Sequence, residues 1–285
     1  MRIGIAGWSY PDWAGFVYPR GVRDPLRYAA GYVDLIEINN SFYRPPDAGM
    51  AAAWVKRTAD LPDFFFTAKL HQDITHGGRI DPDMVKAFHD GFKPLAEAGK
   101  LKHLLAQFKW DFADGPEARQ HIREIASRFG DIAHVTFELR HISWQAANAL
   151  DHVRALGATV ANLDYPQARN SFSMPVCTVG EHAYFRLHGR NAKAWFSQGA
   201  GRDETYNYLY SGKELDEIVR RAMQVGAMSK SLTLVANNHY QGKEMVNALQ
   251  IKARLTGRKV AVPPPLLEKY PDLAAIASAE GGALL

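Results

Sequence analysis

Cysteine occurs once in the 285 residues, at Cys177. That excludes an internal disulfide and any zinc site built on cysteine pairs, and it suits a reducing compartment. No apolar run is long enough to span a bilayer, and Met1 to Trp8 holds too few apolar residues for a secretory signal, so a cytoplasmic protein with no membrane partner is expected. A large charge of one sign is also missing: 34 basic residues stand against 30 acidic ones, a formal net charge of +4. This slight excess permits an anionic ligand or nucleic acid without demanding either. There is no HExxH motif, no low-complexity tract and no interdomain linker. With 47% hydrophobic and 22% charged residues the chain is globular. Its length suits one α/β barrel or two ordinary domains. One barrel domain over residues 1–285 is preferred, with 262–285 as an extension after Val262-Pro263-Pro264-Pro265, where proline ends the last long helix and a short closing helix and frayed end follow.

What the sequence does have is a parity. Read at alternate positions, Leu35-Glu37-Asn39, Phe65-Thr67-Lys69, Leu105-Gln107, Thr136-Glu138-Arg140, Val160-Asn162-Asp164, Tyr184-Arg186-His188 and Thr233-Val235-Asn237 share one strand face, because side chains alternate along a strand. The opposite face is apolar throughout, as in Ile36 and Ile38, Phe64 and Phe66, Ala161 and Leu163, or Leu232 and Leu234. A parallel sheet covered by helices needs such a face. Burying the charged face is costly unless its groups pair or meet a ligand. A closed barrel with a polar pocket at one mouth satisfies both conditions.

Eight strands are expected to begin near Ile3, Asp34, Phe64, His103, His134, Ala158, Ala183 and Leu232, with helices between most of them. Asp24, Asp47, Asp81, Asp114, Ser143 and Ser211 are candidate N-caps, and Gly99, Gly130, Gly157 and Gly257 sit where helices should stop. Arg119 to Phe129 and Leu215 to Met228 are amphipathic at helical spacing. Two long connections, Tyr165 to His182 and Arg190 to Tyr210, lack a convincing helix; the second carries Trp195, Phe196, Tyr206, Tyr208 and Tyr210, which either serve a function or pack on the rim.

Several motifs in order resemble the YecE-like family, domain of unknown function seventy-two. They are GIAGWSYPDWAGFVYP from Gly4 to Pro19, EINNSFY from Glu37 to Tyr43, FFFTAK from Phe64 to Lys69 with Ile74-Thr-His76, Glu138-Leu-Arg140 with Ser143-Trp144, YFRLHG from Tyr184 to Gly189, and Asn237-Asn238 with Asn247-Ala-Leu249. The resemblance implies an α/β barrel of the (β/α)8 TIM type, similar in outline to xylose-isomerase and endonuclease-IV barrels, and it names no reaction. The chain departs from the family after the fourth strand, where Gln107-Phe-Lys-Trp-Asp111 replaces a Gln-Leu-Pro-Pro-like segment.

In such barrels the reactive groups stand at the C-terminal strand ends. Glu37, Asn39, Lys69, Gln107, Glu138, Arg140, Asp164, Arg186, His188 and Asn237 are therefore expected to converge. Arg140 and Arg186 would fork onto a phosphate or carboxylate, with Lys69 as a third charge. Glu138 and Asp164 would act as general base or acid and His188 as proton shuttle. Asn39, Asn237 and Gln107 would orient the substrate, and Trp8, Tyr10, Trp13 and Tyr43 would wall the mouth. The same charges can instead pair among themselves, Glu138 with Arg186, Glu37 with Lys69 and Asp164 with Arg140, with no ligand.

The expected activity is that of a hydrolase or lyase on a small phosphorylated or otherwise anionic substrate, with no cofactor. One rival is a divalent metal held by Glu138, Asp164 and His188, with His71, His76 or His239 added, in a phosphodiesterase acting on nucleic acid. Arginine and lysine beside the carboxylates would repel such a cation. Another is a Schiff base at Lys69. The last is a non-catalytic nucleic-acid or anion binder using Arg20, Arg23 and Arg27, or Lys252, Arg254, Arg258 and Lys259. Nothing in the sequence fixes an oligomeric state.

Overall fold

The structure, a computed structural model, describes residues 1–279. Strands β1 (Arg2–Ile5), β2 (Leu35–Ile38), β3 (Phe65–Lys69), β4 (Leu101–Gln107), β5 (His134–Glu138), β6 (Thr159–Val160), β7 (Asn162–Asp164), β8 (His182–Leu187) and β9 (Ser231–Ala236) form one parallel sheet in the order β6-β5-β4-β3-β2-β1-β9-β8-β7. Nine strands appear where eight were expected because the sixth is interrupted at Ala161. Its first half pairs with β5 through Phe137 and Val160, its second with β8 through Leu163 and Arg186. The two edges of the sheet are thus joined by one residue of chain, which brings the sheet to a barrel and leaves no long free edge.

The side-chain parity separates two cores. Outside the barrel, Ile36, Ile38, Phe66, Ala68, Phe137 and Leu187 pack under the helices; inside, Ala6, Leu35, Phe65, Leu105, Tyr184 and Val235 form a separate buried cluster. The inner apolar layer is floored by polar residues. His103, whose Nδ1 bonds Thr136 Oγ1 at 3.0 Å, meets His134 and His182 with ring centroids 5.4 and 6.4 Å away.

Helices form where caps and periodicity agree. Asp24, Asp47, Asp81 and Ser211 each accept a backbone N–H of the first turn, Ser211 within a complete capping box with Glu214. Helices Pro116–Phe129 and Gly212–Ala227 bury Ile122, Ile125 and Phe129, and Leu215, Ile218, Ala222 and Val225. Two expected caps have other roles. Asp114 forks onto Arg119 at 2.6 and 2.7 Å while Gly115 precedes the helix, and Ser143 lies inside a 3-10 turn that His141 caps. Gly91, in helix Pro82–Glu97, lets a neighbouring loop approach so closely that a Cβ there would stand 1.9 Å from the Pro46 carbonyl oxygen.

Tyr165 to His182 contains no helix, as expected, whereas Arg190 to Tyr210 holds two single turns, Ala192–Trp195 and Arg202–Thr205. The C-terminal extension forms helix Pro264–Lys269 and a 3-10 turn, Pro271–Ala275; the expected frayed end lies in part outside the described residues. Among the described residues no helix is long and apolar enough to cross a membrane.

Candidate functional site

Eight of the expected site residues meet at the C-terminal end of the barrel in one hydrogen-bonded network. Arg186, from β8, forks onto Glu37 with Nε to Oε2 at 3.1 Å and Nη2 to Oε1 at 2.5 Å, and its Nη1 donates to Glu138 Oε2 at 2.7 Å. Arg140, just past β5, donates to Glu138 Oε1 through Nε at 2.9 Å and Nη2 at 2.6 Å. Gln107 Nε2 donates to the same oxygen at 2.6 Å, while its Oε1 accepts from Lys69 Nζ at 2.6 Å. His188 Nε2 lies 3.3 Å from Glu138 Oε1, and Asn237 Nδ2 lies 3.1 Å from His188 Nδ1. Below them Tyr184 donates to Glu37 at 2.8 Å.

Burial sets the electrostatics. Desolvation alone would raise Glu138, but Arg186, Arg140 and His188 together hold its carboxyl well below the usual range. Burial pushes His188 down to about 4, so the imidazole is neutral at pH 7. Lys69 falls to about 7, through desolvation first and the nearby Arg186 second. Its amine therefore titrates at neutral pH.

Above this network opens a cavity of about 660 Å³. Lys69, Lys109, Arg140 and Arg202 reach it with His76 and His239, and among the described residues no carboxylate lines it. Glu37 and Glu138 are sealed beneath, fully buried. The walls are aromatic: Trp8 and Tyr10 after β1, Phe42 and Tyr43 after β2, Phe108 and Trp110 after β4, and Tyr206 from the long loop. Tyr43 and Trp110 are 62% and 66% exposed at the rim. Asn39 is fixed at the edge by donating to Ala6 O at 2.9 Å.

The family described as "Protein of unknown function DUF72" matches residues 2–270, nearly the whole chain. This protein belongs to the DUF72 family. It is 27% identical over 276 residues to the UPF0759 protein YunF of Bacillus subtilis, covering 88% of this chain and 95% of the relative. Crystal structures of DUF72 family proteins from Thermotoga maritima and Enterococcus faecalis superpose with TM-scores of 0.77 and 0.78 at 28% and 26% identity. Each covers 90% of this chain, and 98% and 95% of its own.

In this DUF72 barrel Asp164 does not join the site. Where the sixth strand is interrupted, Ala161, Leu163 and Tyr165 face inward, and Asn162 bonds the backbone N–H and carbonyl of Cys177 at 2.7 and 2.9 Å on the outside. Alternation is unbroken here, since Val160, ahead of the interruption, already packs in the outer core, so the strand presents to the helices the whole face expected to line the site. Asp164 thus points into the helical layer, bonded to Arg190 at 2.8 and 2.6 Å, Arg221 at 3.0 Å and Tyr210 at 2.8 Å. A cation shared by Glu138, Asp164 and His188 has no geometric basis. Two of the expected self-pairings also differ: Glu37 takes Arg186 rather than Lys69, and Arg140 takes Glu138 rather than Asp164. His71 is structural, with Nε2 on Tyr43 O at 2.8 Å and Nδ1 accepting from Asp73 N at 3.1 Å.

The DUF72 site also holds residues that the strand pattern did not single out. Lys109 and Trp110 lie two and three residues past Gln107 and were open to the strand-end rule, but Arg202 comes from a loop with no periodic signal. His239, after β9, is stacked on Tyr10 at 4.6 Å and 8°, and neither ring nitrogen has a hydrogen-bond partner among the described residues. Glu244, on the helix Lys243–Thr256, is fully buried beside β1, with Oε2 accepting from Ala6 N at 3.4 Å and Oε1 unpartnered among the described residues. Burial, with Glu37 nearby, drives its carboxyl well above the usual range, so it is held as the neutral acid. A raised folded pKa means stability lost as pH climbs above the unfolded value near 4.3. Glu244→Gln keeps the shape and removes that titration. Its melting temperature should decline less than the parent's between pH 6 and pH 9; parallel curves would refute the neutral acid.

Proposed function

We propose that this protein is an enzyme that binds a small anionic substrate at the C-terminal mouth of the barrel and works by acid-base chemistry. One observation carries the reading: four cationic side chains open onto the cavity, and among the described residues no carboxylate lines it. Glu37 and Glu138 are occupied by Arg186 and Arg140, so they fix the floor rather than meet substrate. Arg202, Lys109 and Nη1 of Arg140 anchor the anion; the Arg202 guanidinium suits a phosphate or carboxylate, while Arg140 keeps its Nε–Nη2 edge on Glu138. The group at the cavity surface suited to proton exchange near pH 7 is Lys69. Glu138 and His188 act through others, Glu138 by holding Gln107 and Arg140 in place. The buried lone thiol of Cys177 fits a cytoplasmic setting.

Inorganic phosphate or pyrophosphate should raise the unfolding temperature, because a ligand at a hundred times its dissociation constant adds about 2.7 kcal/mol. The double variant Lys109→Ala, Arg202→Ala changes only rim side chains and should lose most of that shift. An unchanged response in the variant, or no response to any anion in the parent, would remove the basis for the proposal.

A further inference from the structure

A part-buried lysine amine normally sits against a carboxylate, because withdrawing an unpaired charge from bulk water is costly. Lys69 does not. Among the described residues no carboxylate lies within 4 Å of Nζ; its hydrogen-bond partner is the neutral Gln107 Oε1, and the ring centroid of Phe42 is 4.3 Å away. Glu138 is linked to it through the Gln107 amide, whose Nε2 is bonded to Glu138 at 2.6 Å. A carboxylate in contact would keep the amine protonated. An interposed amide orients the nitrogen and leaves its lone pair available; desolvation and then Arg186 press against a third positive charge, and Glu37 and Glu138 offset part of that pressure.

We infer that Lys69 is a nucleophile that forms an imine with the carbonyl carbon of an anionic substrate, an aldehyde or ketone bearing a phosphate or carboxylate. The inference rests on the anion-binding reading above and names the substrate class for that site. Nζ attacks the carbonyl carbon, a C–N bond forms, and the C–O π pair moves to oxygen. That oxygen takes up a proton while nitrogen loses one, giving the carbinolamine. The nitrogen lone pair then expels the hydroxyl group, which leaves with a second proton as water, and a protonated imine remains. No oxidant or reductant is involved. His76 is placed to carry these protons: it lines the same cavity and its ring packs edge-on against Phe42 at 5.0 Å, the ring that also meets Lys69. The protonated imine then draws electrons from an adjacent C–H or C–C bond, and Gln107 Oε1 faces the new cation.

Pyridoxal 5′-phosphate is a suitable probe, since it joins an aldehyde to a phosphate. The intact protein at pH 7.4 is treated with a limiting amount, reduced with borohydride, digested and mapped by mass. Because an ordinary amine with a pKa near 10.4 is neutral in only about one molecule in a thousand at this pH, Lys69 should be labelled roughly a hundredfold faster than the exposed Lys93 and Lys102. Inorganic phosphate should protect it, and Lys69→Arg, with melting confirming the fold, should leave only the slow surface labelling. Label confined to surface lysines while phosphate still raises the melting temperature would overturn the imine and leave the anion site standing. Equal labelling of Lys69 by pyridoxal without its phosphate would support the imine and refute the anion site. Neither labelling nor stabilisation would defeat both.

Discussion

Arg186→Met should be the most damaging single substitution in the barrel, costing about 3–5 kcal/mol of a total that for ordinary domains is about 5–15 kcal/mol. The guanidinium is buried to 1% exposure and makes all its contacts to groups that have no access to water. Its loss leaves Glu138 with Arg140, Gln107 and His188 but strips Glu37 of every partner except the Tyr184 hydroxyl. An uncompensated buried carboxylate accounts for the size of the effect. Arg186→Lys keeps the charge but cannot serve two carboxylates from one plane, and should fall between the parent and Arg186→Met. Adding Glu37→Gln to Arg186→Met should restore part of the loss, because the two sites share one interaction and their effects do not add. The outer network supplies the control. Arg190→Met leaves Asp164 bonded to Arg221 and Tyr210, so the penalty is smaller. Urea midpoints measure all four, and an Arg186→Met midpoint within error of the parent would mean that the charges are not closed off from solvent as the structure has them.

The parity of the strands was legible because it is a local property. Glu37, Lys69, Gln107, Glu138, Arg140, Arg186, His188 and Asn237 each lie at even spacing along an unbroken strand or just beyond it, and even spacing puts them on one face. Asp164 shows where that logic stops. Nothing in Ala158 to Asp164 announces which face turns inward: Val160 and Asn162 belong to the outer side, where Asn162 bonds the backbone of Cys177, fifteen residues away. The apolar pair Ala161 and Leu163 suits either face, so hydrophobicity could not arbitrate. Pairing within the charged set was only partly legible: three cations, a histidine and three carboxylates allow many matchings, Glu138 does take Arg186 as expected, and only the closed barrel brings Arg186 of β8 to Glu37 of β2 as well. Helix caps were read correctly where an Asp or Ser precedes a run that buries one side. They failed at Asp114, where Arg119 competes for the same carboxylate. Arg202 and Tyr206 reach the cavity from a loop, and loops carry no period from which a direction could be inferred.

Lowering the pH from 6.5 to 4.5 should destabilise this protein steeply, with histidines rather than carboxylates setting most of the slope. His188, His239 and His134 are each depressed to about 4 by burial, and His103 lies well below its ordinary value, through burial first and then the neighbouring His134 and His182. A depressed folded pKa gives a definite sign for histidine. In the interval between about 4 and the unfolded value near 6.5, the unfolded chain binds protons that the native state refuses, so stability is full above that interval and drains away as pH falls through it. For His188 alone the stake is on the order of 2–3 kcal/mol, one pKa unit being 1.36 kcal/mol. Its surroundings show why: with Nε2 donating to Glu138 and Asn237 Nδ2 donating to Nδ1, a second ring proton would fall on Nδ1 and face an amide N–H that cannot accept it. Glu138 adds to acid loss only lower down, because its depressed pKa places its own window below the ordinary carboxylate range. Glu244 has the opposite sign: between its unfolded value near 4.3 and its raised folded value the native form keeps one proton that the unfolded chain has lost, so it offsets about one of the histidine protons and the remaining rings set the slope. Urea unfolding at half-unit steps gives the slope of stability against pH, and hence the number of protons taken up on unfolding. His188→Asn removes one titrating ring and should lower that number by close to one near pH 5.5, whatever it does to stability itself. A flat profile between pH 6.5 and pH 4.5 would mean that the native histidines take up protons as readily as unfolded ones, and the closed interior that isolates Lys69 from the carboxylates would have to be abandoned with it.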